Sequence, residues 1–138
     1  MRRKLWGALA VALVCGAALA GCGSKAGGAE VLAEVDAFTE ELVGKVEGAA
    51  DPSAGVGEAQ KLLDARREGL RAKVSAWRRS EEFRRGGELR RRWDERESDN
   101  AFRVAGLRTK YIDRAMSDAE FKTRLDALVA DYQKLFEP

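Results

Sequence analysis

The sequence predicts an all-α protein, an up-and-down antiparallel bundle of three or four helices. Its 138 residues include only two prolines, Pro52 and Pro138. No stretch alternates β-branched with polar residues as a half-buried strand would, whereas apolar residues recur three and four positions apart along most of the chain. Because short connections between long helices favour antiparallel neighbours, we expect one bundle domain over residues 29–138.

Two amphipathic segments form the first half of the predicted bundle. The apolar stripe of segment 29–50 consists of Val31, Val35, Phe38, Leu42 and Val46. The stripe of segment 56–85 repeats every seven residues, at Val56, Leu63, Leu70 and Trp77. Asp51-Pro52 should end the first helix, because proline disfavours helix in the residue before it. Gly86-Gly87 interrupts the second, as either a turn or a weak point, since each glycine costs about 1 kcal/mol in a helix interior.

Two further segments complete the predicted bundle. The third, 88–115, carries Leu89, Trp93, Val104, Leu107 and Tyr111. We expect its strongly polar middle, residues 94–100, to be frayed or bent. The last segment begins with Ser117 and Glu120, which match the capping box of a helix N-terminus. Its heptad-like seam then consists of Phe121, Leu125, Leu128, Tyr132 and Leu135.

The N-terminus has the order of a secretory signal. Arg2, Arg3 and Lys4 precede sixteen uncharged residues, 5–20, and small residues lead from there to Cys22. A membrane span needs roughly 20 apolar residues, so this run is short for one, and a retained transmembrane anchor is the less favoured alternative. We therefore expect residues 1–21 to be a signal peptide that is removed.

The end of this signal carries a family resemblance. Leu19-Ala20-Gly21-Cys22 resembles the lipobox of bacterial lipoproteins, in which Leu, a small residue and Gly or Ala precede an invariant Cys. The resemblance covers only the first 22 residues, and it implies cleavage between Gly21 and Cys22 with a diacylglycerol on the Cys22 thiol. Stable anchoring takes about two acyl chains, which such a cysteine carries. Residues 22–28 would then be the lipidated cysteine and a flexible, glycine-rich tether.

The residue after the cysteine bears on the destination. In the enterobacterial form of this pathway, an Asp at that position favours retention in the inner membrane. The resemblance therefore implies that Gly23 directs the protein to the outer membrane, facing the periplasm, if the host is Gram-negative. We accordingly expect a lipid-anchored protein of the bacterial cell envelope, with the membrane as its first partner.

The residue inventory argues against most catalytic chemistry. The chain has no histidine, which removes the commonest general base, metal ligand and haem ligand. Cys15 lies in the segment to be removed and Cys22 would carry lipid, so neither a free thiolate nor a disulfide remains. The sequence contains neither a Gly-x-Ser-x-Gly element nor a glycine-rich phosphate loop. We expect no catalytic residue, no metal and no cofactor other than the lipid.

Charge is segregated along the chain. Residues 23–60 hold 2 basic and 8 acidic side chains, whereas residues 61–114 hold 17 basic and 10 acidic ones. Eight arginines fall between positions 78 and 96, with Phe83 and Trp93 among them and Trp77 directly before them. The candidate residues for contact with an anionic partner are Arg78, Arg79, Arg84, Arg85, Arg91 and Arg92. The planar guanidinium binds phosphate and carboxylate through two parallel hydrogen bonds.

Two interpretations of these arginines remain open. They can pair with acids of the same stretch, such as Glu81 and Glu82, and the aromatic residues can belong to the core. Alternatively, they can bind an anionic envelope component, for which lipid headgroups, lipopolysaccharide phosphates or peptidoglycan carboxylates are better candidates than nucleic acid. The sequence therefore predicts a non-enzymatic interaction or structural module, with anionic binding through Arg78–Arg96 as the alternative, and leaves its oligomeric state open.

Overall fold

The computed structural model describes residues 27–138, which contain six helices and no strand. These are α1 (Gly28–Glu47), α2 (Pro52–Arg78), α3 (Glu81–Arg85), α4 (Glu88–Lys110), α5 (Ile112–Ser117) and α6 (Ala119–Gln133). The all-α class is confirmed. The expected number of helices was wrong, because breaks near residues 79–80 and 111 add the short helices α3 and α5. The predicted signal peptide and the residues Gly21, Cys22 and Gly23 lie outside the described part.

The four long helices form the bundle. Helices α1 and α6 each pack against both α2 and α4. Asn100 of α4 hydrogen-bonds Asp36 in the middle of α1 at 2.7 Å, and Lys110 at the end of α4 pairs with Glu47 at the end of α1 at 2.8 Å, so these two helices run in the same direction. The start of α1 meets the end of α2 instead, where Gly28 contacts the Trp77 ring. The long helices therefore alternate in direction along the chain.

The connection from α1 to α2 begins the second helix earlier than expected. Pro52 is the first residue of α2, and the Asp51 carboxylate caps it by accepting a hydrogen bond from the Ser53 backbone N–H at 3.1 Å. The first helical position needs no backbone donor and suits the fixed φ of proline. Pro52 thus prevents α1 from continuing and also begins α2. The predicted start of the second helix, at residue 56, was four residues late.

The second predicted segment divides into two helices. Helix α2 ends at Arg78, and Ser80 caps α3 by accepting from the Phe83 backbone N–H at 3.2 Å. Gly86 and Gly87 then have φ of 71° and 90°, in the left-handed region that favours glycine. The glycine pair is consequently a turn and not a weak point within a continuous helix.

The polar middle of the third segment, which was expected to be frayed or bent at 94–100, is helical throughout, so the expected fraying was wrong. Trp93 and Asn100 are buried at either side of this stretch. Asp36 of α1 accepts the Asn100 amide and lies 3.5 Å from the Arg96 guanidinium, so polar residues of α4 are satisfied by the neighbouring helix. This part of α4 is stabilised by partners on α1, which the local sequence pattern does not reveal.

The capping box predicted at Ser117 is absent. Ser117 is the last residue of α5, and its hydroxyl donates back to the Asp113 carbonyl oxygen at 3.1 Å. Asp118 caps α6 instead, its extended backbone letting the carboxylate accept from the Phe121 N–H at 2.9 Å. The backbone hydrogen bond lowers the pKa of the Asp118 carboxyl and keeps it ionised as a cap. A better cap one residue further on displaced the predicted one.

The core consists of two apolar clusters. The larger one holds the predicted seam of α6 together with buried residues of α1, α2 and α4. The smaller cluster contains Val31, Leu32, Val35, Val74, Trp77 and Trp93. It lies where α1 and α4 begin and α2 ends, next to the arginine-rich part of the sequence.

Candidate functional site at an arginine-rich end of the bundle

Three aromatic rings gather at one end of the bundle. The ring centroids of Trp77 and Trp93 lie 5.8 Å apart, and the Phe83 ring meets Trp77 edge-on at 5.6 Å. Phe136, just beyond α6, packs against the same cluster. Both tryptophans are buried and Phe83 is half-buried, so these residues are core and not an exposed stacking platform. We call this region, formed by Gly28, residues 77–93 and Phe136, the arginine-rich end.

The start of α1 belongs to the same end. Gly28 is buried against the six-membered ring of Trp77, and a Cβ at this position would overlap that ring. A close approach of backbone to side chain therefore requires glycine here. Gly27, the first described residue, therefore lies at the arginine-rich end, and Cys22 is five positions before it in the sequence.

Arg78 has a structural role within this end. Its guanidinium forms two hydrogen bonds with the Glu97 carboxylate, at 2.8 and 2.6 Å, and a third with the Phe136 carbonyl oxygen. Glu97 also accepts the Trp93 indole N–H at 2.9 Å. This network joins α2, α4 and the segment after α6. Because Arg78 is held in it, its guanidinium is not available to an external anionic partner.

Two more of the predicted arginines have local partners. Arg85 lies 3.3 Å from Glu81 on α3, and Arg91 lies 2.6 Å from Glu88 at the start of α4. The hydrogen bond that the Arg91 guanidinium donates to the Glu88 carboxylate raises the pKa of Arg91. All four side chains are exposed, and exposed pairs of this type contribute little to stability and are screened by salt.

The remaining three predicted arginines are available for an external partner. Arg79, Arg84 and Arg92 are exposed, and none has a carboxylate within 4.0 Å among residues 27–138. Arg90, which is also exposed, lies over the Phe83 ring at 4.6 Å from its centroid. Three of the six predicted arginines are thus paired with carboxylates of the described residues, and the other three are not.

An apolar groove at the opposite end of the bundle was missed by the sequence analysis. It has a volume of about 590 Å³ and is lined by Arg108, Ile112, Ala115, Met116, Ala119, Lys122, Leu125 and Asp126. Met116 is 82% exposed and Ile112 is 53% exposed. These apolar residues of α5 lie outside the stripes that identify core positions. Their position in the sequence could therefore have indicated an exposed apolar surface.

Between Gly27 and Pro138, no group of three or more potential ligands could hold a metal ion. No helix in that range is long and apolar enough to cross a membrane.

Comparison with protein-family models, with curated proteins and with solved structures gives no match to this chain. The motif at Cys22 and the geometry of the arginine-rich end are therefore the basis for assigning a function.

Proposed function

We propose that this chain is a lipid-anchored, non-enzymatic interaction module of the bacterial cell envelope. The observation that carries the proposal is Leu19-Ala20-Gly21-Cys22 at the end of a positively charged and then apolar N-terminus. The Cys22 thiol would carry a diacylglycerol, and the acylated chain would begin at that cysteine. Two or three acyl chains hold a protein stably at a bilayer.

The start of the bundle supports this proposal. Helix α1 begins at Gly28, six positions after Cys22. A fully extended chain of that length spans at most about 22 Å, so a lipidated Cys22 would hold the bundle directly above the headgroups. Such a short connection suits a domain that meets partners at the membrane surface.

Binding is favoured over catalysis by the side chains available. The sequence has no histidine, and its only cysteine outside the proposed signal peptide is the one to be lipidated. Nucleophilic and general-base chemistry would therefore depend on carboxylates, lysines or hydroxyls. Paired surface charges and an apolar groove are features of recognition surfaces.

Mass spectrometry of the full-length and variant proteins tests the anchor. Wild type should begin at Cys22 and carry a lipid-sized mass there. Cys22→Ser should remain as an uncleaved precursor, because both lipid attachment and cleavage need the thiol. Cys15→Ser is the matched control and should be processed like wild type. An unmodified Cys22 in wild type would refute the proposal.

We place the protein in the outer membrane, facing the periplasm, when the host is Gram-negative. Gly23→Asp should move it toward the inner membrane in an enterobacterial host, since an acid after the lipidated cysteine favours retention there. Ser24→Asp is a control that adds the same charge one residue later. Fractionation that is unchanged by Gly23→Asp would remove the basis for this location.

A second candidate function is binding of an anionic envelope component through the Arg78–Arg96 region. It is favoured by the exposure of Arg79, Arg84 and Arg92 without carboxylate partners among the described residues. Crosslinking in the native envelope identifies the bound component. Changing Arg84, Arg85, Arg91 and Arg92 together to Glu should abolish its capture, whereas capture that persists would leave the protein-docking function alone.

A further inference from the structure

We propose that the arginine-rich end faces the membrane in which Cys22 is anchored, and that Arg79, Arg84 and Arg92 contact the phosphates of anionic phospholipids there. This inference rests on the proposed lipidation of Cys22 and names the partner of the arginine surface. It also assigns the bundle an orientation, with the groove beside Met116 directed away from the bilayer.

The place where the described chain begins argues for this orientation. Gly28 packs on Trp77, so the connection to Cys22 leaves from the arginine-rich end and not from the opposite one. Five residue steps separate Cys22 from Gly27, which allows a reach of at most about 18 Å. Helix α1 carries the opposite end about 30 Å further away, because its 20 residues rise 1.5 Å each.

The distribution of basic side chains at the two ends of the bundle also supports this orientation. Residues 78–92 hold seven arginines against three glutamates, and Glu81 and Glu88 already pair with arginines of this set. Further acids at this end are Glu30 in the first turn of α1, Glu95 near Arg91 and Glu97, which is paired with Arg78. At the opposite end three basic side chains are paired with carboxylates. The pairs there are Lys110 with Glu47 at 2.8 Å, Arg114 with Asp118 at 3.2 Å and Lys122 with Asp126 at 2.6 Å.

The surface is held in place by the fold. The Ser80 cap and the Phe83 ring, packed edge-on against Trp77, fix α3 to the end of the bundle. Arg90 covers the outer face of Phe83. Arg84 therefore extends from a helix with a defined position, and Arg92 is adjacent to the buried Trp93. Binding loses less conformational freedom on such a platform than on a mobile loop.

The chemistry suits phosphate groups. A planar guanidinium donates two parallel hydrogen bonds to a phosphate, and anionic lipids attract basic residues that lie within a Debye length of the surface. Each arginine near such a surface favours the docked orientation by about fivefold. The short tether allows these side chains to come within the range over which the attraction operates, about 10 Å at 0.1 M salt.

Energy transfer measures the orientation directly. Trp77 and Trp93 are the two tryptophans outside the proposed signal peptide, and both lie at the arginine-rich end. The lipidated protein is reconstituted into phosphatidylcholine vesicles with or without phosphatidylglycerol, each containing a dansyl-labelled headgroup. We expect phosphatidylglycerol to increase transfer from tryptophan to dansyl, and high salt to remove the increase.

Two charge-reversal variants make the test specific. Arg84→Glu with Arg92→Glu should lose the phosphatidylglycerol-dependent increase, the docked fraction falling by at least about 30-fold relative to the undocked one. Lys45→Glu with Arg103→Glu changes the net charge equally at exposed sites away from the arginine-rich end and should retain it. The proposal is overturned if wild type shows no dependence on phosphatidylglycerol, or if both variants lose it equally.

Parallel measurements separate this proposal from the anchor. Mass spectrometry of the same preparation shows whether Cys22 carries a lipid. An unlipidated cysteine would refute the proposed anchor but not the proposed contact of the arginines with lipid phosphates. The surface would then be tested by sedimentation of that protein with phosphatidylglycerol vesicles, which Arg84→Glu with Arg92→Glu should abolish. Binding to purified peptidoglycan that depends on the same two arginines, without any response to phosphatidylglycerol, would overturn the assignment to the membrane.

Discussion

The hydroxyl oxygens of Thr39 and Tyr132 lie 2.6 Å apart in the core, on helices α1 and α6. The Thr39 hydroxyl already donates its single proton to the Val35 carbonyl oxygen at 2.8 Å. Tyr132 must therefore be the donor to Thr39, and this bond joins two helices on opposite sides of the bundle. Its ring also stacks on Phe38, with centroids 6.4 Å apart.

A double-mutant cycle tests this hydrogen bond. Thr39→Val removes the acceptor while keeping the shape, and it leaves a buried Tyr132 hydroxyl unsatisfied. The free energy of unfolding should fall by about 1 to 3 kcal/mol. Adding Tyr132→Phe should recover part of that loss, because no polar group is then left without a partner. Strictly additive effects in urea unfolding would contradict the coupling.

The same tyrosine predicts a loss of stability in alkali. Burial raises the pKa of Tyr132 to about 12, above its usual value of 10.0. The folded state then holds the phenolic proton more tightly than the unfolded state does. Its contribution should be complete below pH 10 and disappear as the pH rises from about 10 through 12. Unfolding curves over this range should show a smaller decline for Tyr132→Phe than for wild type. Equal declines would show that another group is responsible.

A matched pair of glycines in α2 tests the close approach of α1. A Cβ at Gly55 would lie 2.7 Å from the Lys45 carbonyl oxygen, whereas one at Gly57 would meet nothing within 4 Å. Gly57→Ala should stabilise the protein by about 0.5 to 1 kcal/mol through helix propensity. Gly55→Ala should destabilise it by about 1 to 3 kcal/mol, because the two backbones must separate. Melting temperatures that shift in the same direction would argue against this contact.

The two tryptophans at the arginine-rich end differ in their indole hydrogen bonds. Trp93 donates to Glu97 at 2.9 Å, whereas the buried Trp77 nitrogen has no partner among residues 27–138. Replacing either with Phe removes a similar volume. Trp93→Phe should therefore cost about 1.5 kcal/mol more than Trp77→Phe, since only the former gives up a hydrogen bond to a charged group. Equal losses in chemical denaturation would mean that packing alone sets the cost.

Local periodicity accounts for the parts of the fold that were predicted well. Val31, Phe38, Leu63 and Phe121 were all assigned to apolar stripes, and all are buried. A helix turns by a constant angle per residue, so a run of such spacings identifies both the helix and its inner face. Helix ends were less predictable. Ser117 and Asp118 compete for one cap, and a difference of one residue sets where α5 ends and α6 begins.

The sequence alone did not show which arginines are paired within the fold and which are available to a partner. Glu97, which binds Arg78, lies nineteen positions away and shares no local motif with it. The positions of Arg79, Arg84 and Arg92 within the charge run do not distinguish them from Arg78. Only the packing of α4 beside the end of α2 separates a structural arginine from those available to a partner.

Helical periodicity and a lipobox are both contained within short stretches of chain, so they were enough to predict the all-α class and lipidation at Cys22. The positions of the arginines in the fold depend on tertiary packing. This packing brings Gly28 against Trp77 and so places the start of α1 at the arginine-rich end. That juxtaposition depends on contacts between residues 49 positions apart, which follow from the packing of whole helices and not from any local pattern.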